Sequence, residues 1–332
     1  MTHDCEGDFS GAGQAVAGAI SGSAATPAPA VTVLLTVYNG MPYLPLTVES
    51  IFGQTLEKFV FLVINNGSTD GTANYLHSLD DARLVIHHLP KNIGRTAALN
   101  YGLERVATEF TAVIDADDLA SPERLATQVA FLRDHPQVGF VGTNVAYIDA
   151  TGAHIGADDF PTRHDALLGQ ITVYNPFAHA ACAFRTGAAK GAGNYPARYV
   201  YAQDLGLWMA LVREGWQAAS IVQQLASIRR HPAQATRDTT QEALRLQEQI
   251  DLARELADLP GLHPFAAQAA CVRLFALVRA QGKAGRGEAH NQLRRALGYG
   301  VLRLLVNPFL WKRAVVALQR LWQRCTRKLV KK

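Results

Sequence analysis

The chain of 332 residues is 48% hydrophobic and 18% charged, with a formal net charge of +4, enough apolar material for a full core in one or two domains. Its four cysteines, Cys5, Cys182, Cys271 and Cys325, lie far apart with no Cys-x-x-Cys pair, which excludes a disulfide framework or a structural zinc and fits a reducing cytoplasm. Residues 1–29 are rich in Ala, Gly and Ser, carry acids where a signal peptide would be basic, and read as a disordered leader; no later stretch is long and uncharged enough to span a bilayer.

Val31 to Val37 is an apolar, β-branched run closed by Tyr38-Asn39-Gly40, which predicts a buried strand followed by a crossover helix through Ser50 and Ile51. Phe59 to Ile64 repeats the pattern and stops at the polar turn Asn65-Asn66-Gly67-Ser68-Thr69-Asp70-Gly71-Thr72. A third short strand, Leu84 to His87, precedes an Asn/Gly turn and the Ala-rich helix signal of Asn92 to Asn100. The fourth run, Thr111-Ala112-Val113-Ile114, ends in Asp115-Ala116-Asp117-Asp118, with Ser121-Pro122-Glu123 opening the next helix. Four strand, polar turn and helix units in series predict an α/β fold with an open, mostly parallel sheet. In such sheets ligands bind beyond the carboxyl ends of the strands, where these polar clusters gather.

Three carboxylates within four positions repel one another unless solvent, hydrogen bonds or a cation offsets their charge. A divalent metal holding a phosphate does so; helix capping is the plainer alternative. Further along, Tyr201-Ala202-Gln203-Asp204-Leu205-Gly206-Leu207-Trp208 places an acid at the head of a helix running to Arg213, and Ile228-Arg229-Arg230-His231-Pro232 ends an apolar run.

Taken in order, Thr36-x-Tyr38-Asn39, Asn66 to Thr72, Asn92-x-Gly94-Arg95-x-x-Ala98-x-Asn100, Asp115-x-Asp117-Asp118, Gln203 to Trp208 and Arg230-His231-Pro232 resemble the motifs of family 2 glycosyltransferases of the GT-A fold, from about residue 31 to 236. The resemblance implies a Rossmann-like, mostly parallel sheet flanked by helices. Residues 30–135 would form its nucleotide-sugar-binding half, 136–236 its acceptor-binding and catalytic half, and 237–332 a helical basic extension. It also implies that Thr36, Tyr38, Asn39, Asn66, Arg95, Asp115 and Asp117 bind the nucleotide sugar. Asp117, Asp118 and His231 would hold Mg2+ or Mn2+ on the diphosphate, and Asp204 would take the proton of the acceptor hydroxyl. His179 is a further acceptor-side candidate. Packing at a strand end for Tyr38, a solvated helix start for Arg95 and a helix cap for Asp204 remain the plainer readings.

Two departures stand out. Positions 65 and 66 are asparagines where the family usually has aspartates, and Gln203 stands where Glu is common. Asn66 can still accept a hydrogen bond, but without the charge-assisted component, a difference on the order of 1 kcal/mol. The function expected is inverting, non-processive transfer of a sugar, UDP-linked in the first instance, to a glycan or lipid-linked acceptor in surface polysaccharide (lipopolysaccharide or capsule) synthesis. Two alternatives remain: a noncatalytic nucleotide-sugar-binding or scaffold protein, and a nucleotidyltransferase. The latter lacks its Gly-rich basic loop, since Asn39-Gly40-Met41-Pro42 is not one.

Charge is divided sharply. Residues 261–332 hold fifteen Lys/Arg against one acid, Glu288, a net of +14 that leaves −10 on the rest. There Trp311, Val315, Leu318, Trp322, Cys325 and Leu329 recur at helical spacing beside six basic residues, so 311–332 suits an anionic membrane surface. Docking on the body or pairing with another chain are the competing fates of that stripe. The expected location is cytoplasmic and peripheral on the inner face of the cell membrane. Nucleic acid is not an expected partner, for want of a recognition module.

Overall fold

The structure, a computed structural model, describes residues 28–171, 175–232, 234 and 242–257. The expectations for the leader and for the basic stretch at 311–332 lie outside the described residues. In chain order come β1 (Val31–Val37), α1 (Leu44–Phe52), β2 (Val60–Asn65), α2 (Thr72–His77), β3 (Leu84–His88), α3 (Arg95–Arg105), β4 (Phe110–Asp115), β5 (Leu119–Ala120) and α4 (Arg124–Asp134). Then follow β6 (Val138–Asp149), β7 (His154–Asp158), α5 (His164–Ile171), a 3-10 turn at His179–Ala181, β8 (Ala183–Arg185) and α6 (Thr186–Gly191). The described chain continues with α7 (Gln203–Arg213), β9 (Gln217–Arg230) and α8 (Glu242–Ala257).

The strands expected from the four apolar runs form the parallel part of one sheet in the order β3-β2-β1-β4, each followed by the helix that its polar turn announces, with β5 intervening before α4. Because β2 and β4 lie on opposite sides of β1, strand order reverses there and opens a crevice at the carboxyl ends of β1 and β4. Beyond β4 the sheet is mixed. β8 runs antiparallel to both β4 and β6, β9 parallel to β6, β5 antiparallel to β9, and β7 folds back on β6. The β6–β7 connection spans only residues 150–153, too short for a crossover, so that pair must be antiparallel.

Alternation along the parallel strands feeds two cores. Leu34, Leu62, Ile64 and Val113 face Ala98, Leu99 and Leu103 of α3, while Val33, Leu35, Phe61, Val63, Ala112 and Ile114 join Leu44, Val48 and Ile51 of α1 and Leu125, Val129 and Leu132 of α4. Each fully buried aliphatic side chain contributes roughly 1.5–3 kcal/mol. Helix α3 lies so near β1 that a Cβ on Gly102 would stand 2.4 Å from Leu34 Cδ1. In the second half Trp208 of α7 stacks on Phe140 of β6 at 4.6 Å, and Leu252 and Leu256 of α8 join the same cluster. Among the described residues no helix is long and apolar enough to cross a membrane.

Candidate active site

The loops after β1 and β2 are stitched to each other by polar side chains. Asn39, at a positive φ of 56°, donates its amide N–H to Ser68 Oγ at 2.9 Å and accepts the Thr69 N–H at 2.8 Å. The Gly40 N–H donates to Thr72 Oγ1 and the Met41 N–H to Asp70. Tyr38 beside them is 47% exposed, so its ring is available as a stacking surface. Thr36 lies on the last turns of β1, paired in register with Ile64 and Asp115.

The two asparagines at the end of β2 are buried and differently employed. Asn65 accepts the Ser68 N–H at 3.0 Å and faces His88 Nδ1 at 3.0 Å. Asn66 accepts the Ile93 N–H at 3.0 Å through its amide oxygen, while its amide nitrogen donates to Asn92 Oδ1 at 3.1 Å. Asn66 thus ties the loop ahead of α3 to the end of β2. The approach of the two loops is close: Gly67 has φ +71°, and a Cβ there would lie 2.3 Å from the Lys91 carbonyl carbon.

Arg95, the first residue of α3, donates through Nη2 to both oxygens of Asp115, at 2.6 and 2.8 Å. His179, buried, stands 3.4 Å from the same nitrogen through Nδ1 and meets Tyr195 Oη through Nε2 at 3.0 Å. Burial pushes the Asp115 carboxyl up, but the Arg95 charge and the His179 contacts outweigh it and hold the group well below the usual carboxylate range. Arg95 is raised in turn, first by the charge of Asp115, its direct partner, and to a lesser degree by the charges of Asp204 and Asp117.

The neighbouring acids split in role. Asp117 meets His231 Nε2 at 2.9 Å, although the two lie more than a hundred residues apart in the chain. Asp118 is 3% exposed and turned inward, accepting the Arg229 N–H at 2.8 Å; burial, with Asp117 and Asp115 nearby, pushes its carboxyl well above the usual range. Arg229, itself buried, donates through Nε to the Asp117 carbonyl and lies over the Tyr43 ring, which also packs on His231 at 4.7 Å. Among the described residues no group of three or more His, Cys, Asp or Glu is gathered to hold a metal by itself. Asp117 and His231 are the pair the fold brings together, while Asp118 faces the β9 backbone.

Asp204 sits in the first turn of α7 and accepts from Asn175 Nδ2 at 2.8 Å. The Trp208 ring, one helical turn on, is stacked in the core on Phe140. Gln203 is 2% exposed, its amide within 3.1 Å of the Val200 and Tyr201 carbonyls, so it closes the turn ahead of α7.

Sequence reasoning did not assign roles to Arg229, Asn175, Tyr195 or Glu248. The two-residue spacing of Arg229 and His231 could have marked a shared strand face; the others depend on distant contacts.

A reversed-order parallel half-sheet, acids at the end of its fourth strand and a further acid heading a helix in the mixed half define a GT-A-type fold. Residues 32–189 match the family model described as Glycosyl transferase family 2. The amylovoran biosynthesis glycosyltransferase AmsE of Erwinia amylovora is 29% identical over 202 residues, 60% of this chain and 75% of that protein. Among solved structures, S. aureus TarS 1-349 in complex with UDP-GlcNAc superposes with a TM-score of 0.61 at 18% identity, covering 82% of this chain and 80% of that one. The Pyrobaculum calidifontis mannosyltransferase PcManGT, in complex with GDP-Man and Mn2+, does so with a TM-score of 0.51 at 21% identity over 90% and 88% of the two chains.

Proposed function

We propose that the protein is an inverting, non-processive glycosyltransferase. It moves a sugar from a nucleotide diphosphate sugar, UDP-linked, to a glycan or lipid-linked acceptor in surface polysaccharide synthesis. The observation that carries this reading is the Arg95–Asp115 pair, closed at 2.6 and 2.8 Å, which sets a cation at the start of α3 against the acid at the end of β4. The role of AmsE in amylovoran biosynthesis and the UDP-GlcNAc complex of TarS support the pathway and donor class.

Thr36, Tyr38 and Asn39 line the end of β1 where a base and ribose would lie, with the Tyr38 ring for stacking. Asn66 serves by holding the 92–94 loop against β2, so the base is read by groups that this loop presents. Arg95 and the free N–H groups of α3 face the anionic part of the donor. The acceptor oxygen bonds to the anomeric carbon, the carbon–phosphate oxygen bond breaks, the nucleoside diphosphate departs and the hydroxyl proton passes to Asp204. Asp204 is oriented for this by Asn175.

A divalent cation fits the Asp117–His231 pair, because Mg2+ and Mn2+ are commonly held by one or two protein ligands plus diphosphate oxygens and water. When bound it would neutralise charge on the leaving diphosphate. Ligation through His231 Nε2 requires its proton to reside on Nδ1. Asp118 would hold the β9 edge through the Arg229 amide and so place His231.

The test is calorimetric titration with UDP, GDP and dTDP, each with Mn2+ and with EDTA, followed by sugar transfer from the donor selected. Metal-dependent binding of UDP is expected. A second reading, a noncatalytic nucleotide-sugar binder, is favoured by the internal commitment of both Asn66 amide groups; binding without metal dependence and without transfer would select it.

A further inference from the structure

The helix that carries Asp204 begins without a cap of its own: Ala202 occupies the N-cap position and its side chain offers no acceptor. The segment leading into it is instead held by an acceptor from α8. Glu248, 3% exposed, takes the Val200 N–H on Oε1 at 2.6 Å and the Tyr201 and Ala202 N–H groups on Oε2 at 2.9 and 3.0 Å. One carboxylate thus closes three consecutive backbone donors immediately before the base-bearing turn, with its charge at the positive end of α7.

A second acid of the same helix grips both sides of this joint. Glu255 accepts from Tyr199 Oη at 2.5 Å and Arg198 at 2.7 Å, ahead of α7, and from Arg213 at 2.9 Å, at its far end. The same loop is bound to the donor side: Thr96 Oγ1 donates to the Tyr199 carbonyl at 2.6 Å, and Asn100 exchanges two hydrogen bonds with the Tyr195 backbone. Residues 195–202 are therefore the junction through which α3, headed by Arg95, and α7, bearing Asp204, are held in one geometry. Helix α8 lies beyond the matched family domain at 32–189.

We propose that α8 is a catalytic positioning element and that Glu248, a positioning residue, sets the placement of Asp204 relative to Arg95 and Asp115. This rests on the reading of Asp204 as the base. Without Glu248 the turn keeps its core anchors Leu205, Leu207 and Trp208 but loses the charged tether of the three amides that precede it. A shift of ~1 Å in a reacting group can cost on the order of 100-fold in turnover, while a donor pocket built on β1, β2 and β4 is not rearranged.

The test uses the full chain and the variant Glu248→Gln, which keeps the volume and removes the charge. Turnover, nucleotide affinity and amide hydrogen exchange are measured together. Expected are a fall in kcat of at least about tenfold, a nucleotide Kd within about twofold of the parent, and faster exchange confined to 198–206. Glu248→Asp, which restores the charge on a shorter stem, should recover part of kcat. Unchanged kcat, a Kd that worsens in step with kcat, or exchange that rises across 95–105 and 110–115 as well would overturn the proposal. So would global unfolding of both variants, since it would make Glu248 a general stability residue. Asp204→Asn, assayed in parallel, separates the two ideas: if it still transfers sugar, the base assignment fails, and the exchange pattern alone decides whether the tether exists.

Discussion

Replacing Asp204 by Asn changes the site by one atom type and should divide turnover from binding. Its carboxylate accepts the Asn175 N–H at 2.8 Å, and an amide oxygen in the same place can still accept that bond without its charge-assisted component. The lost quantities are the proton-accepting charge and the favourable position of an anion in the first turn of α7. A positioned general base contributes on the order of 100- to 10,000-fold to rate, which corresponds to roughly 3–5 kcal/mol of barrier. The helix-end charge is worth only about 0.3–1 kcal/mol, and less at a part-exposed site. Asp204→Asn should therefore lower kcat by at least about 100-fold with nucleotide affinity within about twofold and the melting temperature within a few degrees. The assay is release of nucleoside diphosphate in the presence of acceptor, paired with calorimetric titration of the nucleotide. Turnover within about tenfold of the parent would refute the assignment. Parallel loss of affinity and turnover would make the residue structural.

Arg95→Ala should weaken nucleotide binding by about tenfold or more, near 1.4 kcal/mol, as measured by titration; unchanged affinity would remove Arg95 from the donor site. The same variant has a pH signature. Asp115 is held below its ordinary range in the folded protein, so its pairing stabilises the fold above the unfolded aspartate pKa and that contribution is lost as pH falls through the folded value. The stability gap between parent and Arg95→Ala in urea melts should shrink on acidification below about pH 4; a gap that widened there would contradict the pairing. Asp117→Asn should abolish any tightening of nucleotide binding by Mn2+, whereas retained metal dependence would place the ion elsewhere. Gly67→Ala sets a side chain against the Lys91 backbone at φ +71° and should destabilise the protein by more than the roughly 1–2 kcal/mol of left-handed backbone strain alone, read by thermal denaturation. Arg124→Met removes a fully buried guanidinium that donates to the Val113 and Cys182 carbonyls and to Gln128, and should cost about 2–4 kcal/mol in the same assay.

The four parallel strands, their helices and the acid-bearing end of β4 were legible in the sequence. Buried parallel strands are continuous apolar runs, and their ligand-facing turns are polar by necessity. The assignment of Arg95, Asp115, Asp117 and Asp204 to one site came from the family resemblance and not from periodicity, and the structure joins Arg95 directly to Asp115. The mixed half was less legible: β8 has three residues, and β6 and β9 pair across some eighty positions of chain. Short or long-range pairings leave little local periodicity to read.

What the tertiary structure alone decided is how neighbouring acids and amides divide their work. Asp117 and Asp118 are adjacent in the chain, yet one meets His231 and the other the Arg229 amide, because the turn between β4 and β5 sends them to different surroundings. Asn66 is identical in sequence terms to a base-reading residue, but its polar atoms are engaged by Asn92 and Ile93. Glu248 lies in a helix whose own pattern shows only an acid near a buried face. Its task follows from three amides forty-six to forty-eight residues earlier, brought to it by packing. Residue type and periodicity determined which chemistry this chain could carry, and long-range packing determined which oxygen faces which nitrogen.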